Sequence, residues 1–181
     1  IVKACGNLGA IDTAQDIHIS LIKVGLIGNA TLCMENRSRV CELDCTESIL
    51  CNALVDMYSK CGKMADAQNV FETTSEQTLV VWNALISGYA RGGKFAASFQ
   101  VYDEMKQASI EPNQVTFLSL LTACGHGGQA EKGVDMFESM TTDYALVPKV
   151  EHFVTIVDLL GRVGDLERAE YVLSRMPMQP D

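Results

Sequence analysis

Histidine is nearly missing from this chain, and where it does occur it offers no catalytic constellation. His18, His126 and His152 are followed by Ile-Ser, Gly-Gly and Phe-Val, and no two of the seven cysteines stand at C-x-x-C spacing. A zinc-dependent nucleobase deaminase needs both an H-x-E and a C-x-x-C, so no catalysis of that kind is written in these residues. Positive charge is also short. Lys and Arg number 14 against 23 Asp and Glu, a formal net charge of -9, whereas holding nucleic acid by bulk electrostatics requires clustered basic residues. No DNA binding is expected, and any contact with RNA has to be local. Long apolar runs are absent too: none approaches the ~18 residues of a membrane span.

What is present is helical periodicity broken by glycine. In LVVWNALISGYARGGKFAASFQVYDEMKQASIEPN, from Leu79 to Asn113, Trp82, Leu85, Ile86 and Tyr89 fall at i, i+3, i+4 and i+7. That spacing predicts a buried stripe on one helix, while Asn83, Ser87 and Arg91 step down another face. The helix is expected to stop at Gly92-Gly93. Phe95, Phe99, Val101, Tyr102 and Met105 then carry a second helix to a turn at Ser109-Ile110-Glu111-Pro112, where Pro112 forbids continuation. Neither helix can cover its stripe alone, so stacking on neighbours is required.

The turn glycine recurs as Gly9, Gly62, Gly93, Gly128 and Gly164, at intervals of 53, 31, 35 and 36. The long first interval resolves if residues 30–47 are an insertion, because Ala30-Thr31-Leu32-Cys33 and Ser48-Ile49-Leu50-Cys51 are alternative lead-ins to Asn52. The expected division is a truncated repeat at 1–29, the insertion at 30–47, and repeats at 48–78, 79–113, 114–149 and 150–181. A period near 35 with two helices per unit predicts an all-α fold, an α-solenoid of stacked antiparallel helical hairpins wound as a right-handed superhelix. Inside the insertion, Asp44 and Glu47 resemble a capping box for the helix running into Tyr58. Cys33, Cys41, Cys45 and Cys51 have neither a nearby His nor zinc spacing, so no metal and no cofactor are expected, and the odd number of cysteines reads as free thiols. GHGG at 125–128 falls at a hairpin turn instead of between a strand and a helix, which argues against a phosphate loop.

The strings NALVDMYSKCG, VVWNALISGYARGG, QVTFLSLLTACGHGG and VEHFVTIVDLLGRVGDLERAE resemble pentatricopeptide repeats of the plant PLS class, in which long, standard and short repeats alternate. The resemblance covers nearly the whole chain except the insertion. It implies truncated long, short, standard, long and short repeats in that order. It further implies binding of single-stranded organellar RNA, commonly as the recognition part of cytidine-to-uridine editing, with the deaminase on a C-terminal domain or a partner. Editing-complex proteins would be the other partners, and a mitochondrion or chloroplast the compartment. The chain opens at Ile1 inside a helical pattern with no targeting segment visible.

Independently of any family, equivalent positions of stacked hairpins line up. The fifth residues are Asn52, Asn83, Leu118 and Val154, and the last residues Thr78, Asn113, Lys149 and Asp181. A carboxamide carries both donor and acceptor and can pair with the edge of an unstacked base. The resemblance maps base reading onto Asn52 with Thr78 and Asn83 with Asn113, the latter pair leaning to cytosine. The second residues, Ile49, Val80 and Val115, resemble the family's position for a side chain packed between successive bases; Glu151 departs from it. The thirteenth residues, Lys60, Arg91, His126 and Arg162, compensate the C-terminal dipole of each first helix, and Lys60, Arg91 and Arg162 are also candidate phosphate contacts. The rival is a protein-binding solenoid of tetratricopeptide type: Trp82, Leu85 and Tyr89 match that repeat's start, but Ile86 stands where a small residue is expected. Unequal unit lengths and the Pro112-Asn113 ending also favour RNA.

Overall fold

The computed structural model describes residues 49, 51–74 and 77–176, and every regular element among them is an α-helix. Eight follow one another: α1 (51–60), α2 (Met64–Thr73), α3 (Leu79–Arg91), α4 (Phe95–Gln107), α5 (Gln114–Gly127), α6 (Ala130–Thr142), α7 (Val150–Val163) and α8 (Leu166–Ser174). They form four pairs. The segments 1–29 and 30–47, with Cys33, Cys41, Cys45 and the Asp44–Glu47 start, lie outside the described residues, as does Asp181.

One turn joins the helices of every pair. Its glycine takes a left-handed conformation each time, with φ of 73° at Gly62, 67° at Gly93, 62° at Gly128 and 79° at Gly164. A side chain would be strained there, and the left-handed residue lets the chain turn back to the last carbonyls of the helix. The next residue donates its N–H to the carbonyl five residues behind: Lys63 to Tyr58, Lys94 to Tyr89, Gln129 to Cys124 and Asp165 to Leu160, at 2.9–3.0 Å. Two second helices, α4 and α6, end in a shared way. Ser109 and Ala145, each four residues before the end of its segment, have φ of 57° and 51°, and Pro112 and Pro148 follow. A proline favours an extended residue before it, which ends the helix and sets up the next one.

The chain divides into two compact units, one ending at Gly88 and the other beginning at Tyr89. In the first, Leu54, Val55 and Tyr58 of α1, Met64, Ala67, Val70 and Phe71 of α2, and Trp82 and Leu85 of α3 are all buried. The Phe71 and Trp82 rings meet edge to face with centroids 4.5 Å apart. In the second, Leu121 and Cys124 of α5, Phe153, Ile156, Leu159 and Leu160 of α7, and Ala169 and Val172 of α8 form one cluster, edged by Phe95, Phe99, Val134 and Phe137. Here α5 packs on its partner α6 and on α7, and α7 on its partner α8. Within each unit a first helix therefore shares its core with the following one, α1 with α3 and α5 with α7, at about 1.5–3 kcal/mol for each fully buried large aliphatic side chain. Gly133 lets α6 come close to α7, since a Cβ at that point would collide with the Leu159 side chain.

Cys51, Cys61 and Cys124 are free thiols. Burial pushes the Cys124 thiol up to about 12, so it packs as a small apolar group and not as a nucleophile. No described helix is long and apolar enough to cross a membrane.

Candidate nucleic-acid interface

Each first helix presents a face built at intervals of three, four and four residues, which helical geometry brings to one side. At residue 49 and along α1 the face reads Ile49, Asn52, Asp56 and Lys60. On α3 it reads Val80, Asn83, Ser87 and Arg91; on α5, Val115, Leu118, Thr122 and His126; on α7, Glu151, Val154, Asp158 and Arg162.

The apolar leaders of this face are open to solvent. Ile49 is 62% exposed, Val80 63% and Val115 53%, although the helices they belong to bury nearly every other large aliphatic residue. Leaving three such side chains in water forfeits about 1.5–3 kcal/mol each relative to burial. A single exposed aliphatic is ordinary. Three at one register position form a pattern that the core does not require.

Behind each leader the polar residues differ. Thr78 Oγ1 donates to Asn52 Oδ1 at 3.4 Å, which brings the fifth and last residues of that segment together. Asn83 departs from the openly exposed polar column that periodicity suggests, being only 8% exposed, because its place on α3 lies between buried Trp82 and the helix's apolar stripe. Asn113 is the N-cap of α5. Its Oδ1 accepts from the backbone N–H groups of Val115 and Thr116 at 3.0 and 3.1 Å, satisfying two donors that an α-helix leaves open at its start. Leu118 is half-buried and Val154 exposed; neither has a polar group to offer.

The basic positions are not equivalent. Lys60 Nζ lies 2.7 Å from Asp56 and Arg162 Nε 2.9 Å from Asp158, each pair one helical turn apart and well exposed. These pairs add little stability, and they neutralise the charge a phosphate would meet on α1 and α7. On α3 the position one turn before Arg91 is Ser87, so no carboxylate stands one turn back on that face. The D-x-x-x-K and D-x-x-x-R spacings of these pairs are legible in the sequence.

His152 is the residue that sequence reasoning missed. It is 1% exposed, with Nδ1 accepting the Lys149 backbone N–H at 3.1 Å and Nε2 facing the Gln114 carbonyl at 2.8 Å. An acceptor at Nδ1 leaves the proton on Nε2, which donates to Gln114. The Gln114 side chain in turn donates to the Val147 carbonyl at 2.9 Å, so the starts of α5 and α7 are tied twice. Elsewhere on α6 and α8, the Arg168 guanidinium grips both oxygens of Glu131 and reaches Asp165. The guanidinium hydrogen bonds hold the Glu131 carboxyl below its ordinary range, and the Arg168 backbone N–H, followed by the guanidinium, does the same for Asp165. Replacing His152 with Leu strands the Lys149 N–H and removes the bond to the Gln114 carbonyl, and should cost about 1–2 kcal/mol in denaturant unfolding; a loss under about 0.5 kcal/mol would show that the imidazole is not a clip.

A series of helix pairs, each joined by the same glycine turn, defines a helical-hairpin repeat protein. The PPR repeat family matches residues 77–126, and the PPR repeat matches residues 49–73, 115–143 and 151–179. The chain belongs to the pentatricopeptide repeat family. It is 37% identical over its whole length to a chloroplastic pentatricopeptide repeat-containing protein of Arabidopsis thaliana, of which it covers 22%. It is 40% identical, again over its whole length, to a mitochondrial one from the same plant, of which it covers 31%. The chain thus spans less than a third of either relative. Among solved structures, maize pentatricopeptide repeat protein PPR10 aligns over 72% of this chain and 20% of its own, with 25% identity and a TM-score of 0.62. PPR10 in complex with an 18-nt psaJ RNA element aligns over 99% of this chain and 25% of its own, with 23% identity and a TM-score of 0.68.

Proposed function

We propose that the chain is part of a sequence-specific, single-stranded RNA-binding array. The observation that carries this reading is the exposed aliphatic residue at the second position of successive units, Ile49, Val80 and Val115, one turn before the position that holds Asn52 and Asn83. An apolar side chain held in water beside a carboxamide suits a splayed base, whose ring face is apolar and whose edge is polar. The repeat boundaries at 48–78, 79–113, 114–149 and 150–181 put base reading on Asn52 with Thr78 and on Asn83 with Asn113. Lys60, Arg91 and Arg162 stand at the phosphate positions. Glu151 makes the last unit the poorest binder.

PPR10, solved with an RNA element, supports the ligand class. Relatives named chloroplastic or mitochondrial support an organellar compartment. Alternation of short, standard and long units supports the PLS class, and with it a role as the recognition part of cytidine-to-uridine editing, where editing-complex proteins are partners and the deaminase lies elsewhere. Within this reading the chain binds and positions RNA and catalyses nothing itself.

Fluorescence anisotropy with a randomised single-stranded RNA pool tests the ligand class. Saturable binding that weakens with salt, and that duplex RNA and single-stranded DNA of equal length fail to compete, is expected. Absence of saturable binding at up to millimolar chain would overturn the reading in favour of a protein-binding solenoid.

A further inference from the structure

Between α6 and α8, the second helices of consecutive pairs, the core leaves a groove unfilled. Two adjoining cavities of about 180 and 300 Å³ share Phe137, Glu138 and Arg175. The smaller is lined by Val134, Ile156 and Val172 as well, with Tyr171 beside them; the larger reaches Phe153 and the connection at 147–148. A difference between the pairs accounts for the opening. The fifth residue of α6 is Val134, where the fifth residue of α4 is Phe99. The Phe99 ring fills its place, 4.6 Å from the Phe95 ring and 5.5 Å from Nζ of Lys132, the third residue of α6. The third residue of α8 is Arg168, which turns to Glu131 and Asp165 instead, and the shorter Val134 leaves the space beside it empty. Stacking of pairs does not cover this groove, because both of its walls are already in place.

Charge on the walls decides what the groove suits. Glu131 and Asp165 are taken up by Arg168. Asp135 and Glu138 on α6, and Glu167 and Glu170 on α8, are exposed and make no ion pair among the described residues. Against these four carboxylates stands the Arg175 guanidinium, laid over the Tyr171 ring at 5.6 Å. We propose that the groove docks a basic amphipathic helix of a protein partner, which seats two large apolar side chains in the two cavities and sets Lys or Arg against Asp135 and Glu138. An apolar trough between two helices accepts the apolar face of a third, and opposite charge on the rim selects the partner. This goes beyond the RNA reading and is independent of it, since the residues assigned to RNA lie on first helices and at unit ends.

The test uses the 181-residue chain and a labelled synthetic helical peptide of Ala and Lys with Leu and Phe on one face, followed by fluorescence anisotropy beside the same peptide with Glu for every Lys. Saturable binding of the Lys peptide and none of the Glu peptide is expected. Val134→Phe, which reproduces the arrangement at Phe99, should weaken binding by about tenfold or more without lowering the denaturation midpoint. Asp135→Lys combined with Glu138→Lys alters only exposed positions and should weaken it too, whereas Asp103→Lys, at the place on α4 that Glu138 holds on α6, should not. Parent-like affinity in a folded Val134→Phe protein, or in the double charge variant, would overturn the groove; should Val134→Phe fail to fold, the charge variants decide alone. No saturable binding by the parent, binding of the Glu peptide, or an equal loss in Asp103→Lys would overturn it as well. Displacement of the Lys peptide by single-stranded RNA would place the peptide on the first helices, with the same consequence.

Discussion

Gly88→Val should unfold at markedly lower denaturant, with a loss of about 3 kcal/mol or more. Gly88 sits inside α3, where helix propensity alone favours almost any side chain over glycine, by about 1 kcal/mol for Ala. Sterics decide the sign. A Cβ at residue 88 would stand 2.6 Å from Ser59 Cβ and 2.8 Å from both Ser59 Oγ and Met64 Sδ. Ser59 Cβ is one bond from the α1 backbone and cannot swing away, so the two helices must separate, and overpacking of that kind costs about 1–3 kcal/mol or more. A β-branched side chain places still more atoms in the gap. Ser59 contributes nothing to offset this, since its buried hydroxyl has no hydrogen-bond partner; Ser59→Gly in the Gly88→Val background should recover part of the loss. Gly161 is the control. It lies within α7 with open space around its missing Cβ, so Gly161→Ala should be neutral or gain up to about 1 kcal/mol. Equal effects at 88 and 161 would refute the close approach of α1 and α3.

The hairpins were legible because two local signals agree. The stripe of Trp82, Leu85, Ile86 and Tyr89 marks a helix, and all four are buried. The glycine after it marks a turn, and the left-handed φ at Gly62, Gly93, Gly128 and Gly164 is what a glycine at a helix end supplies at least cost. Neither signal depends on distant residues. The site was legible only in its register. Spacing placed Ile49, Val80 and Val115 on the same helical face, but exposure depends on what packs above each of them. Spacing also placed Asn83 beside Asn52 in register, yet Asn83 is largely buried while Asn52 is half-buried. His152 gave no local signal at all. Its partner is the Gln114 carbonyl, 38 residues away in sequence, and that pairing exists only once α5 and α7 have stacked. A polar residue whose partner is created by packing cannot be told from a surface residue by periodicity.

Charge shows the same division between what is local and what is not. Lys60 and Arg162 look like phosphate ligands when each is read alone, and their carboxylate neighbours one turn back take up that role in the folded chain. The chain's net charge of -9 thus extends onto α1 and α7, the faces that would have to attract RNA. Salt dependence should accordingly be shallow. Each phosphate neutralised on a single strand contributes a slope of about 0.7, and the ion pairs of Lys60 and Arg162 reduce what α1 and α7 can contribute.

Attraction that weak leaves the exposed aliphatic residues to supply most of the affinity. Ile49→Ser, Val80→Ser and Val115→Ser combined should therefore weaken RNA binding by about a hundredfold or more. Covering the exposed half of a Val or Ile side chain is worth about 1 kcal/mol, so three sum to about 3 kcal/mol, and every 1.4 kcal/mol is a factor of ten. The fold should barely notice. All three side chains are more than half exposed, and Ser and Val have similar helix propensity, so the denaturation midpoint should stay close to that of the parent. The control removes as much exposed apolar surface from another register: Val163, Leu166 and Leu173, exposed by 47%, 65% and 48%, each changed to Ser. Base packing predicts a large loss of affinity in the first triple variant and none in the second. Equal losses would mean that RNA adheres to apolar surface without register, and parent-like affinity in the first would remove the second position from the interface altogether.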